Sequence, residues 1–162
     1  MAVNWYRPHV LLLPEDDANR QVANGFHLQV SPANQRQMQV LQVAGGWNEV
    51  LTLFETDHAT EMDRCPSRYM VLLIDFDGVQ DRLQTARARI PAQLTDRVFI
   101  LGAWSEPEEL KKAGLGTYET IGKAMAEDCR SGTNTTWGHN LLQHNASEIG
   151  RLRQHILPIL FP

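Results

Sequence analysis

Cysteine is nearly absent. Cys65 and Cys129 stand alone in 162 residues, with no CxxC pair and no histidine at metal-ligand spacing. This argues against a disulfide framework and the common zinc patterns, and makes a reducing, cytoplasmic setting the expectation. Long apolar runs are missing too, and Met1-Ala2-Val3-Asn4-Trp5-Tyr6-Arg7-Pro8 lacks the basic-then-apolar plan of a signal peptide, so no membrane partner is expected. Nor is there a positive excess: 15 lysines and arginines face 19 aspartates and glutamates, a net charge of −4. A nucleic-acid partner would therefore need a local basic patch. No repeat, linker or low-complexity tract interrupts the chain, whose length suits a single domain.

What is present is a regular alternation. His9-Val10-Leu11-Leu12-Leu13, stopped by Pro14, reads as a buried strand, and Tyr69-Met70-Val71-Leu72-Leu73-Ile74 reads as another, buried on both faces. Residues 37–43 alternate polar and apolar like a half-exposed strand, and residues 97–102 suggest a fourth. Between them, a helix capped by Asp16 or Asp17 runs through Val22 and Phe26, shortened by Gly25. Residues 47–54 have helical spacing before a polar stretch at 57–66. Residues 80–90 form a helix with Arg82, Arg87 and Arg89 outward, closed by Pro91. A helix opened by residues 106–110 and ended by Gly114 and Gly116, and helices at 118–129 and 147–160, complete the chain, those beyond about 117 as a C-terminal helical extension. The alternation implies an α/β fold: a mainly parallel β-sheet of about four strands sandwiched by helices, Rossmann-like and three-layered.

Chemistry concentrates at the end of the central strand. Asp75 and Asp77 are two apart, so both lie on one side of an extended segment, and Gly78 then permits a sharp turn. Ligands of open α/β sheets bind outside the carboxyl ends of the strands. Two carboxylates converging there repel unless a cation or a shared proton intervenes. Glu15 follows the first strand and lies at the same edge.

Leu11-Leu12-Leu13-Pro14-Glu15 and Leu73-Ile74-Asp75-Phe76-Asp77-Gly78 resemble the motifs of the TOPRIM family, a glutamate after the first strand and Asp-x-Asp after a later one. The likeness runs over roughly residues 10–110. Ser105-Glu106-Pro107-Glu108 is similar to the Ser-x-x-Glu of OLD-type nucleases within that style. Where the family usually has glycine after its glutamate, this chain has Asp16, so the turn there differs. The resemblance implies a small parallel sheet and Mg²⁺- or Mn²⁺-dependent phosphoryl transfer on nucleic acid. Glu15, Asp75 and Asp77 would be catalytic, with Asp75 and Asp77 holding metal. Glu15 would bind a second ion or act as general base, Glu108 would be an auxiliary ligand, and Ser105 would donate to phosphate. Lys111 and Lys112 are candidate phosphate contacts within a scatter of basic residues.

Other likenesses compete. Asp75-Phe76-Asp77-Gly78-Val79 resembles the nucleophile motif of haloacid dehalogenase-like phosphatases, which implies Asp75 as nucleophile, but no later Gly-Asp-x-x-x-Asp metal pair follows. Leu13-Pro14-Glu15-Asp16-Asp17 resembles the acidic start of response regulators. The long separation to Asp75 and a missing lysine after the last strand set that reading aside. A third possibility is a TOPRIM-like binding or assembly module without catalysis. Glu106, Glu108 and Glu109 also suit a helix's positive first turn. His139 and His144 read as stabilisers of a loop. The apolar Leu157-Pro158-Ile159-Leu160-Phe161-Pro162 must be buried, either in its own core or against a protein partner or second copy.

Overall fold

The computed structural model describes residues 2–162. Strands β1 (His9–Pro14), β2 (Met38–Val40), β3 (Arg68–Leu73) and β4 (Val98–Leu101) pair in the order β2-β1-β3-β4, every pairing parallel. The expected four-stranded parallel α/β architecture is what the chain adopts. Its helices are α1 (Asp17–Leu28), α2 (Trp47–Leu53), α3 (Ala59–Arg64), α4 (Arg82–Arg87), α5 (Pro107–Lys112), α6 (Tyr118–Ser131), α7 (Ala146–His155) and α8 (Leu157–Leu160).

The three layers follow from strand periodicity. Val10, Leu12, Val71 and Phe99 face one core with Ile121, Met125 and Leu152, while Leu11, Leu13, Met70 and Ile100 face the other with Val50, Phe54 and Leu94. Alternate residues of one strand thus feed opposite cores, which is why Val10 to Leu13 are all apolar and β1 is buried throughout.

Three expectations change in detail. Gly25 does not shorten α1, which runs its full 12 residues. The glycine serves packing instead: a methyl there would lie 2.1 Å from Glu119 O, and one at Gly122 would lie 1.9 Å from Val22 O. So α1 and α6 approach backbone to backbone. Within the polar stretch at 57–66, most of the chain is helical, because α2 continues through a π-helical segment (Phe54–His58) into α3, with Phe54 and Met62 fully buried beneath. The helix expected at 80–90 contracts to α4, and Arg87 and Arg89 bond Glu148 and Glu55.

The segment beyond residue 117 closes the fold. α6 lies on α1, and α7 runs along the free edge of β4. There Asn145 mimics a neighbouring strand: its Nδ2 donates to Gly102 O (3.0 Å) and its Oδ1 accepts from Gly102 N (3.2 Å). Glu148 Oε2 accepts from Ile100 N (3.0 Å), and Arg151 donates to Val98 O (3.4 Å). Side chains thereby satisfy an edge that would otherwise invite another strand. The apolar tail packs on its own core, with Leu160 buried and Phe161 6.0 Å from the Phe26 ring.

Candidate functional site: an acidic rim at the strand-order reversal

From β1 the chain moves outward to β2 on one side and to β3 on the other. The crevice between the carboxyl ends of β1 and β3 is therefore the topological switch point, where open α/β sheets take their ligands. Glu15 leaves β1 with its N–H on Leu73 O (2.8 Å) and its Oε2 accepting from Asp75 N (2.6 Å). Sixty positions of sequence separate these two residues, and the parallel register brings them into contact.

Asp75 is buried, at 6% exposure. Its Oδ1 accepts from Asn19 Nδ2 (3.0 Å), and the same nitrogen lies 3.1 Å from Asp16 Oδ1. Asp16 caps α1 by accepting from Asn19 N (3.0 Å). One amide thus bridges two carboxylates. Burial is the main force on Asp75, and the charges of Glu15, Asp16 and Asp77 add to it against the Asn19 bond, pushing its carboxyl up to about 7. Glu15 is raised by burial as well, partly offset by the Asp75 N–H.

Asp77 takes a different path. The segment after β3 stays in register with the chain beyond β4, Ile74 N bonding Leu101 O and Phe76 N bonding Ala103 O. Gly102 permits this approach, since a methyl there would fall 1.6 Å from Ile74 O. At Asp77 the backbone turns left-handed (φ +51°), followed by Gly78 at +69°. The extended geometry that would hold Asp75 and Asp77 on one side ends here. Asp77 Oδ2 meets Arg82 Nη1 at 3.0 Å, and that nitrogen also donates to Asp75 O (2.9 Å). The Trp47 ring lies against the guanidinium, 4.2 Å from centroid to Cζ. Arg82 is an internal counter-ion at a rim of four carboxylates.

The remaining candidates sit around this rim. Ser105 O accepts from Asp77 N (3.1 Å), and its Oγ is buried without a hydrogen-bond partner among the described residues. Glu108 lies beside Tyr118, whose phenol is raised by burial first and then by the Glu108 charge. Lys111 Nζ rests 4.6 Å from the centre of the same ring, and Lys112 bonds Glu109 at 2.9 Å. His139 accepts from Leu141 N (3.1 Å), and His144 packs edge-on to Phe76 (4.7 Å) and Trp104 (5.4 Å).

The structure thus joins Glu15 to Asp75, turns Asp77 to Arg82, and leaves Glu108, Lys111 and Lys112 on the α5–α6 side. Asn19, Arg82 and Trp47 are parts of the site not singled out by motif. Asn19 carried a signal, three residues after the capping Asp16 on the buried face of α1. Among the described residues, no group of three or more His, Cys, Asp or Glu side chains is arranged to hold a metal ion. Mg²⁺ can also be held by one or two carboxylates and several waters, and Asp16 and Asp75 share the Asn19 amide. No family model, curated protein or solved structure matches the chain.

Proposed function

We propose that the switch-point rim is a divalent-cation site serving phosphoryl transfer, the Mg²⁺- or Mn²⁺-dependent chemistry of the TOPRIM resemblance, with nucleic acid as substrate class. The observation that carries this reading is the crowding of three further carboxylates, Glu15, Asp16 and Asp77, around a buried Asp75 whose carboxyl is pushed up to about 7. A cation is the simplest relief of that crowding. Asp75 and Asp16 would hold it, with Asn19 setting their spacing. Bound Mg²⁺ would supply charge neutralisation at a phosphoryl oxygen. Glu15, oriented by the Asp75 N–H and raised by burial, is the general base. Ser105 Oγ, unpartnered but buried, would donate to phosphate only if uncovered. Asp77 is a second ligand only when released from Arg82, and Glu108, Lys111 and Lys112 form the outer contacts.

Calorimetric titration with Mn²⁺ tests this directly. One ion should bind the wild type, and Asp75→Asn should abolish it. Undiminished binding in Asp75→Asn removes the reading.

One observation favours a second reading. The order β2-β1-β3-β4 is that of the first four strands of the flavodoxin-like arrangement, which response-regulator receivers share. The long separation between Glu15 and Asp75 is taken up by α2, the π-helical segment and α3, and the two residues touch. A receiver-like acceptor at Asp75 still lacks the lysine after the last strand, so a module without catalysis is the form of this reading that fits the Asp77–Arg82 pair. Beryllium fluoride with Mg²⁺ separates the cases, because an acceptor aspartate traps it and a water-activating site does not. The same trapping tests the haloacid dehalogenase-like alternative. A module that responds to neither Mn²⁺ nor beryllium fluoride is an assembly or binding domain.

A further inference from the structure

The opposite rim of the sheet carries a second set of features. Val3 is buried, Asn4 N donates to Arg36 O (2.9 Å), and Tyr6 N and Arg7 N close a turn onto Asn4 Oδ1 (3.0 Å) and Asn4 O (3.2 Å). This anchored turn precedes β1 at the amino ends of the strands, about 20 Å from the acidic rim by the length of a six-residue strand.

An anchored turn can tuck its aromatics inward, yet Trp5 is 53% exposed and Tyr6 99%. Trp5 is held open. Arg68, itself only 4% exposed, presses its guanidinium on the inner face of the ring at 4.1 Å. Arg68 is fixed in turn by its Nε–H on His9 Nε2 (3.0 Å), and the other nitrogen of that imidazole meets Arg7 O (2.8 Å). The outer face of the indole is therefore offered at a set angle, with its ordering entropy already spent.

Three exposed arginines surround the pair. Arg36 and Arg64 line one concavity with Trp5 and Tyr6, and Arg7 follows in the turn. Arg7 and Arg36 make no salt bridge among the described residues, and Arg64 has only an exposed pairing with Glu61 (3.2 Å), which solvent weakens. Asp63 is the neighbouring acid in α3. A positive, aromatic patch on a chain of net charge −4 is the local basic feature that the whole composition lacks.

We infer that this face binds single-stranded nucleic acid, with bases stacked on Trp5 and Tyr6 and phosphates met by Arg7, Arg36 and Arg64. Every base has a π-face, so such a platform accepts a strand with little regard to sequence, and the arginines supply the salt-dependent part. The inference is independent of the cation site.

The test is fluorescence anisotropy of a labelled oligothymidylate with the full chain, in EDTA, across a salt series. Affinity should fall with salt at a log–log slope of about −2, as expected for three phosphate contacts on a single strand. Trp5→Ala and Tyr6→Ala should each weaken binding about tenfold, and Trp5→Phe should retain most of it. Arg36→Ala should reduce the slope by about 0.7. The inference is overturned by absence of binding at low salt, or by an affinity indifferent to Tyr6→Ala, a side chain too exposed to matter for folding. Self-association that Tyr6→Ala abolishes would instead give the face to a second copy of the chain.

Discussion

Asp75→Asn should stabilise the protein, and increasingly so as pH rises. The folded carboxyl sits near 7 against an ordinary 3.8, so the folded state binds the Asp75 proton more tightly than the unfolded state does. Its stability contribution is intact below about pH 4 and lost progressively as pH rises to about 7, at about 1.4 kcal/mol per pH unit. Above that the full gap has been lost, an upper figure of about 4 kcal/mol for this residue. Asparagine has nearly the same shape, keeps an oxygen for the Asn19 amide and cannot ionise. The variant should therefore gain about 2–4 kcal/mol at about pH 8 and almost nothing at about pH 4. For a chain of this size that is a rise in Tm of about 4–16 °C at the higher pH. Urea denaturation of both proteins in EDTA across this range measures the difference directly. A pH-independent difference, or a variant less stable at about pH 8, would show that Asp75 is already ionised and compensated, and the crowding argument would fail.

Arg82→Gln should free Asp77 and tighten Mn²⁺ binding about tenfold, since the competing internal cation is gone, and an unchanged Kd would show that Asp77 faces no ion. Gly122→Ala should lose about 1–3 kcal/mol or more by forcing α1 off α6, measured by denaturant titration, because the obstruction at Val22 O is backbone and cannot rotate away. Glu148→Ala should cost about 3 kcal/mol, because it removes the buried acceptor of Arg87 and of the Ile100 N–H and one of the partners of Arg151. Glu148→Gln should recover part of that loss, through the amide oxygen that can still accept from Ile100 N.

The layers of the fold were legible because they rest on short-range pattern. Val10 to Leu13 send alternate side chains into two cores, and a strand that does so must be apolar at every position. Strand order was not legible, since nothing local to β2 or β4 states which edge each takes. The π-helical passage was hidden for a related reason. Residues 57–66 are polar on average, and Phe54 and Met62 matter only once the sheet exists to bury them. Gly25 misled because propensity counts its cost within one helix, whereas its use lies in the second helix it admits.

The candidate site divides along the same line. That Glu15 and Asp75 share one edge follows from two strand ends in a parallel sheet, but their meeting needs β1 beside β3, which only the strand order supplies. The orientation of Asp77 follows from one backbone dihedral. Asp and Asn enter the left-handed region more readily than most residues, so Asp77-Gly78 could adopt either an extended or a left-handed start. The bonds of Asp77 N to Ser105 O and Gly78 N to Trp104 O favour the second, and they exist only because Gly102 lets β4's continuation lie against Ile74. A glycine 27 positions away from Asp75 thus helps decide which carboxylates share the rim and which one is left for Arg82. An Asp-x-Asp after an apolar strand therefore specifies the acids and their edge. Whether those acids act together is set by the neighbouring strand.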